Sequence, residues 1–255
     1  MELLLGFAAG FVISVVTAPA GVSGAVFLLP VQLSVFHVPN PAVTPTNLLY
    51  NVVAGPGALM RYARSGALRS PLAGALILGA LPGVLVGSTA RVHLLADPDL
   101  FRLCAAAVLG PLGVWLLLPR RESSRTRPAL RRRLILALAF GAGCVGGVYG
   151  IGGGSLLSPI LVGAGLSVAA VAPAALLSTF VTSIAGCLAY AVLSLTAPGD
   201  VAPEWALGIA CGAGGLVGGY LGAAIQPRLP ERLLRRLLGT LAIALAVLYA
   251  IQSLT

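Results

Sequence analysis

Apolar runs alternate with short polar breaks along the whole chain: Leu3 to Val38, Ala42 to Met60, Leu72 to Ala96, Leu103 to Leu118, Leu134 to Ala197, Trp205 to Ile225 and Leu237 to Ile251. Several exceed the roughly 20 residues that a helix needs to cross a hydrocarbon core. The pattern predicts an all-α integral membrane protein. Three single crossings are expected to begin near Ala42, Leu72 and Leu103, and three more near Val171, Trp205 and Leu233. The segments Leu3 to Phe36 and Leu134 to Gly165 are each broken by a glycine-rich stretch. Each reads as a broken or re-entrant hairpin, with arms of about 16 residues, or as two short crossings. The total is about 8 to 10 membrane segments.

Composition agrees with that pattern. The chain is 58% hydrophobic and only 9% charged, too apolar for a surface in water. Its 33 Gly and 18 Pro would break a soluble bundle, but membrane helices tolerate both, and glycine lets their backbones pack closely. The net charge of +9 comes from arginines in short loops, without a basic groove or interleaved aromatics, so nucleic acid is not an expected partner. Cys104, Cys144, Cys187 and Cys211 lie inside apolar runs without metal-ligand or CxxC spacing, so neither zinc nor a disulfide is expected. Ala18-Pro19-Ala20 looks like a cleavage site, yet Glu2 stands where a signal peptide has a basic region. The segment reads as mature structure.

Sliding the chain along itself reveals a repeat. A shift of 129 lays Gly21, Gly24, Leu28 and Pro30 on Gly150, Gly153, Leu157 and Pro159. Farther on, Ala54-Gly55 pairs with Ala185-Gly186, and the ladder Gly79, Gly83, Gly87 pairs with Gly214, Gly218, Gly222. The expected organisation is a first repeat over 1–119, a basic linker over 120–133 and a second repeat over 134–255.

Arginine sets the orientation, because the chain has no lysine. Arginines fill 120–133 and recur at Arg61, Arg64 and Arg69 and at Arg228, Arg232, Arg235 and Arg236. The positive-inside rule puts those segments in the cytoplasm. The 91–102 and 198–204 loops, which hold Asp97, Asp99, Asp200 and Glu204, then face outward. The loop after the third helix is therefore inside in one half and outside in the other, so the halves are predicted to be inverted, with both termini outside.

Inverted repeats with discontinuous helices place a substrate where the repeats meet. The turn Gly152, Gly153, Gly154, Ser155 and its counterpart Ser23, Gly24 would each present unpaired N–H groups and the positive end of a helix dipole, which suits an anion. Packing alone would also explain these glycines, and the two readings are compatible. Following each turn, Asn47 and Asn51 fall on one helical face, as do Ser178 and Thr182, beside Thr179, Thr44, Thr46 and Ser183. Polar glue between helices is the plainer reading of the hydroxyls, while the two amides lean towards function. No Asp, Glu or Arg lies deep in an apolar run, so no carboxylate relay is expected. His37 reads as interfacial; Cys144 and Cys187 are open as contacts to a sulfur-containing substrate.

The run Gly150-Ile-Gly-Gly-Gly-Ser-Leu-Leu-Ser-Pro159, then Ala175-Leu-Leu-Ser-Thr179, with Thr46-Asn47-Leu-Leu-Tyr-Asn51 and Arg61-Tyr-Ala-Arg-Ser-Gly66, resembles the TauE/SafE family of sulfite exporters, also called toluene sulfonate uptake permeases. The resemblance implies transport, often outward, of sulfite, thiosulfate, organosulfonates or related anions through a cell membrane. Ser23-Gly24-Ala25 departs from the three glycines of the second turn. The expected function is an anion transporter working by alternating access, with no catalytic residue, metal or cofactor. The alternatives are an anion channel or a membrane assembly protein. The partners are the bilayer and the anion, and a homodimer is left open.

Overall fold

The computed structural model describes residues 1–93, 131–195 and 202–252, with 106, 107, 110, 111, 113, 114, 117 and 118. Helix α1 (Glu2–Thr17) runs into a 3₁₀ turn, Ala18–Ala20, and is followed by α2 (Ala25–Ser34), α3 (Asn40–Arg64) and α4 (Pro71–His93). Then come α5 (Arg132–Tyr149), α6 (Gly153–Ala164), α7 (Val168–Leu193), α8 (Trp205–Ile225), a second 3₁₀ turn and α9 (Glu231–Gln252). The described residues contain no strand. Five stretches are long and apolar enough to cross a membrane: Glu2–Ala20, Pro71–Val92, Arg132–Tyr149, Val168–Leu193 and Trp205–Arg228. The crossing expected from Leu103 lies mostly outside the described residues, as do 94–102, 120–130 and 196–201.

Helix α3 has 25 residues, about 37 Å at 1.5 Å per residue, so length would let it span. Its composition is too polar to count among the five, because Thr44, Thr46, Asn47 and Asn51 lie within it. All four side chains are buried. The polarity of this helix faces protein, while Leu78, Val86, Leu188 and Val192 on other helices are more than half exposed and form an apolar outer surface suited to lipid.

The two hairpins have unequal arms, unlike the expected 16 and 16. Their first arms, α1 and α5, have 16 and 18 residues, and their second arms, α2 and α6, have 10 and 12. The second arms are thus about 15 and 18 Å long, roughly half of a hydrocarbon core. The helices stop where the backbone turns left-handed, at Gly21 (φ 74°) and at Gly150 and Gly152 (φ 70° and 72°). Glycine adopts that conformation without the Cβ clash that penalises other residues.

Two long pairings hold the molecule together. Helix α4 lies along α5, and α1 lies along α8. A Cβ on Gly83 would come within 2.2 Å of the Phe140 carbonyl oxygen, and one on Gly87 within 2.0 Å of that of Cys144. In the other pair, a Cβ on Gly214 would approach the Phe7 oxygen to 1.9 Å, and one on Gly218 the Phe11 oxygen to 2.3 Å. Only glycine permits this separation, which is how membrane helices gain packing without a hydrophobic drive between them.

The order of these contacts gives the chain directions. Helices α1, α3 and α8 are parallel, since Phe7, Phe11 and Val15 meet Gly214, Gly218 and Gly222 in order, as Val53 and Ala58 meet Gly212 and Gly219. Helices α4 and α5 are parallel by the same test. Helix α7 is antiparallel to α3, with Phe180 against Gly55 and Gly186 against Leu48. One end of the bundle therefore collects Arg61, Arg64, Arg69, the start of α5 and Arg228. There Arg64 donates to Tyr220 Oη at 2.9 Å and stacks on its ring, and Glu231 accepts the Val168 N–H at 2.9 Å. At the opposite end the Glu204 N–H donates to Thr46 Oγ1 at 2.9 Å.

Candidate functional site

The two glycine turns meet. The Ser23 N–H, just before α2, donates to Ser155 Oγ in the first turn of α6 at 3.2 Å. Both are buried, Ser23 at 6% exposure and Ser155 at 2%. The first N–H groups of any helix lack partners within it, and here side-chain hydroxyls supply partners, so the N–H groups of Ser23, Ala25 and Gly153 are engaged rather than unpaired as expected. The Ala25 N–H donates to Ser23 Oγ at 3.1 Å, and the Gly153 N–H donates to Thr182 Oγ1 at 3.2 Å. Gly154 is a point of close approach, where a Cβ would sit 1.9 Å from the Ala175 oxygen of α7. A Cβ on Gly24 would lie 2.2 Å from Tyr50 Oη.

Asn51 joins the turns a second time. Its Oδ1 accepts the Ser23 hydroxyl, and its Nδ2 donates to the Gly150 carbonyl at 3.2 Å. Asn47, one helical turn earlier, donates from Nδ2 to the Ala25 carbonyl at 3.2 Å, leaving its fully buried Oδ1 unpartnered. On α7, Thr182 donates back to the Ser178 carbonyl at 2.7 Å, and the Thr179 hydroxyl lies 3.4 Å from Ser155 Oγ. The hydroxyls of Ser178 and Ser183 are buried without partners among the described residues. Every site residue expected from the sequence thus falls in one buried region, half-way along α3 and α7. Thr44 and Thr46 have structural bonds instead, to the Val148 carbonyl at 3.1 Å and the Ala42 carbonyl at 2.7 Å.

Beside the first turn lies a cavity of about 30 Å³, the size of a single water. Ser23, Asn51 and Thr179 line its inner part, and Thr17, Ala58 and Phe180 extend it towards the arginine-bearing end. Away from that end, Leu48 and Tyr190 close the packing, with Cys187 against them. Cys144 packs by its backbone on Gly87, and neither cysteine lines the cavity. His37 lies after α2 with φ 49°, apart from the site.

No Asp, Glu, Lys or Arg is buried among the described residues. A ligand here would meet hydroxyls, amides and two helix N-termini, a set that stabilises negative charge without a side-chain cation. Ser14, Thr17, Tyr50 and Phe180 also line the cavity but were not expected from the sequence. Ser14 and Thr17 carried a signal, two hydroxyls three residues apart on an otherwise apolar helix. Tyr50, inside the Thr46 to Asn51 motif, pairs with Ser14 Oγ at 2.5 Å.

No curated protein and no solved structure matches the chain. A family model described as Sulfite exporter TauE/SafE does match, over residues 5–249, a span that takes in both turns, α3 and α7. With nearly its whole length so matched, this multi-pass membrane protein belongs to the TauE/SafE sulfite exporter family of transporters.

Proposed function

We propose that the chain exports a small sulfur-containing anion, such as sulfite, thiosulfate or an organosulfonate, by alternating access around the meeting point of its two turns. The observation that carries this reading is the Ser23 N–H bonded to Ser155 Oγ at 3.2 Å, which brings two helix N-termini together in a region without buried acid. The substrate residues are Ser23, Gly24, Asn47, Asn51, Gly152, Gly153, Gly154, Ser155, Ser178, Thr179 and Thr182. The oxyanion is held by hydroxyls and by N–H groups of the first turns of α2 and α6, which give up their present side-chain partners to the anion. Sulfur chemistry is inferred from the family.

Alternating access needs two halves that exchange equivalent packings. The pairings support an inverted repeat. Leu136, Phe140 and Cys144 meet the α4 glycines as Phe7, Phe11 and Val15 meet those of α8, and both sets differ by the same 129 residues as the turns. The related helices also run in opposite directions. The arginine-bearing end is cytoplasmic by the positive-inside rule, the termini are outside, and the cavity is the inward route, flanked by Phe180. With the cell interior negative, an anion leaves downhill electrically, so export needs no coupling ion.

Proteoliposomes loaded with sulfite, thiosulfate, taurine or sulfoacetate, with and without a pH gradient, test this. Saturable flux of at least one of these anions, with counterflow, is expected. Flux that does not saturate would identify a channel, and no flux or binding of any of them would refute the substrate assignment.

A further inference from the structure

We propose that the groove between the first turns of α4 and α5 is a binding site for an anionic phospholipid. The groove measures about 670 Å³, within the roughly 300–1,000 Å³ typical of ligand pockets. Leu72, Ala75, Leu78, Ile135 and Leu166 wall it, and Arg132 stands among them. Arg131 caps helix α5, which opens with Arg132 and Arg133; all three are exposed, and none of their guanidinium groups has an ion-pair or hydrogen-bond partner among the described residues. Glu231, which reaches the segment after Leu166, is engaged by the Val168 N–H.

Gly74 adds an independent reason. It lies inside α4, where glycine destabilises relative to alanine. The other glycines of α4 face the backbone of α5, but a Cβ on Gly74 would meet nothing within 4 Å among the described residues. Helix packing does not require this glycine, and its position widens the groove. An apolar wall at the basic end of a membrane protein, rimmed by guanidinium groups without a carboxylate partner among the described residues, matches one occupant by charge and solvent. An acyl chain lies along Leu72, Leu78 and Ile135, and the phosphate sits on Arg132. A free anion would leave the wall uncovered, and a zwitterionic lipid would leave the charge uncompensated. The proposal does not depend on what the protein transports.

Native mass spectrometry of the full chain, exchanged in detergent against equal phosphatidylglycerol and phosphatidylcholine, reads retained lipid. The wild type is expected to prefer phosphatidylglycerol by roughly fivefold, the factor that one basic contact near a headgroup gives. Arg132→Gln is expected to abolish that preference. Gly74→Leu fills the groove without touching charge, and is expected to lower retention of phosphatidylglycerol. A phosphatidylglycerol with a photoreactive acyl chain, which needs no substitution, is expected to crosslink to 71–78 and 132–135. Equal retention of both lipids by the wild type, or crosslinks spread over other faces, would overturn the site.

Discussion

Asn51 is the most informative single perturbation, because one amide bonds to both turns. Truncation to Ala orphans two buried partners, the Gly150 carbonyl, which receives Nδ2 at 3.2 Å, and the Ser23 hydroxyl. A buried polar group left unpaired costs about 1–3 kcal/mol. The hydroxyl can rotate towards another acceptor and the carbonyl cannot, so Asn51→Ala is expected to destabilise by about 2–4 kcal/mol. Ser23→Ala breaks one of the two bonds, and also the Ala25 N–H contact at 3.1 Å, leaving two buried groups unpaired, and is expected to cost about 2–4 kcal/mol. The two substitutions remove one shared bond, so the double variant should fall short of the sum by about 1 kcal/mol. Unfolding free energies from SDS titration of the purified protein measure all three. Sulfite flux in proteoliposomes, corrected for folded protein, should fall in both single variants. Wild-type unfolding in both, or strict additivity, would refute the idea that Asn51 and Ser23 hold the turns together.

Two further outcomes follow from packing. Gly87→Ala would put a Cβ 2.0 Å from the Cys144 carbonyl oxygen and so force α4 off α5, an overpacking expected to cost at least about 1–3 kcal/mol. Gly141→Ala meets nothing within 4 Å and should be neutral or stabilising by about 0.5–1 kcal/mol; fluorescence-detected size exclusion after heating compares them, and equal melting would sink the packing account. Gln32 is wholly buried, with neither Oε1 nor Nε2 partnered among the described residues, and the 129-residue shift lays it on Leu161, itself wholly buried. Gln32→Leu should therefore stabilise by about 1–3 kcal/mol in the same SDS titration, and a loss of stability would show that the amide has a partner in the folded protein.

How far the sequence could be read depended on what each feature encodes. Glycines at four-residue spacing leave one side of a helix bare, and that alone predicts a close neighbour, as Gly83 and Gly218 have. Polar side chains inside an apolar run must face protein, so Asn47, Asn51, Ser178 and Thr182 were legible as a buried set. Arm lengths were not legible. In a chain whose solvent is lipid, apolar residues continue through helix, turn and helix alike, so hydropathy does not mark where α2 ends. Left-handed backbone flanks that helix instead, at Gly21 before it and at His37 after it. The part of Tyr50 and Phe180 was equally hidden, since each depends on a partner more than 30 residues away, Ser14 for one and Gly55 for the other.

The polar groups are divided unevenly between the two turns, and this bears on mechanism. In the first half an amide, Asn51, bonds across to the opposite turn at Gly150. Its counterpart in the second half, Thr182, is a hydroxyl that bonds only within its own half, to Gly153 and Ser178. Two packings that were equal in energy would need equal bonds on both sides. The unequal ones favour the arrangement in which Asn51 holds Gly150, and the cavity lies at that same turn on the arginine-bearing side. Under the proposed alternating access, moving the halves to open the other side would break the Asn51 to Gly150 bond without a matching amide to replace it. In that scheme the part of the bias owed to Asn51 is about one buried hydrogen bond, roughly 1 kcal/mol, small enough for a bound anion with differential affinity to reverse.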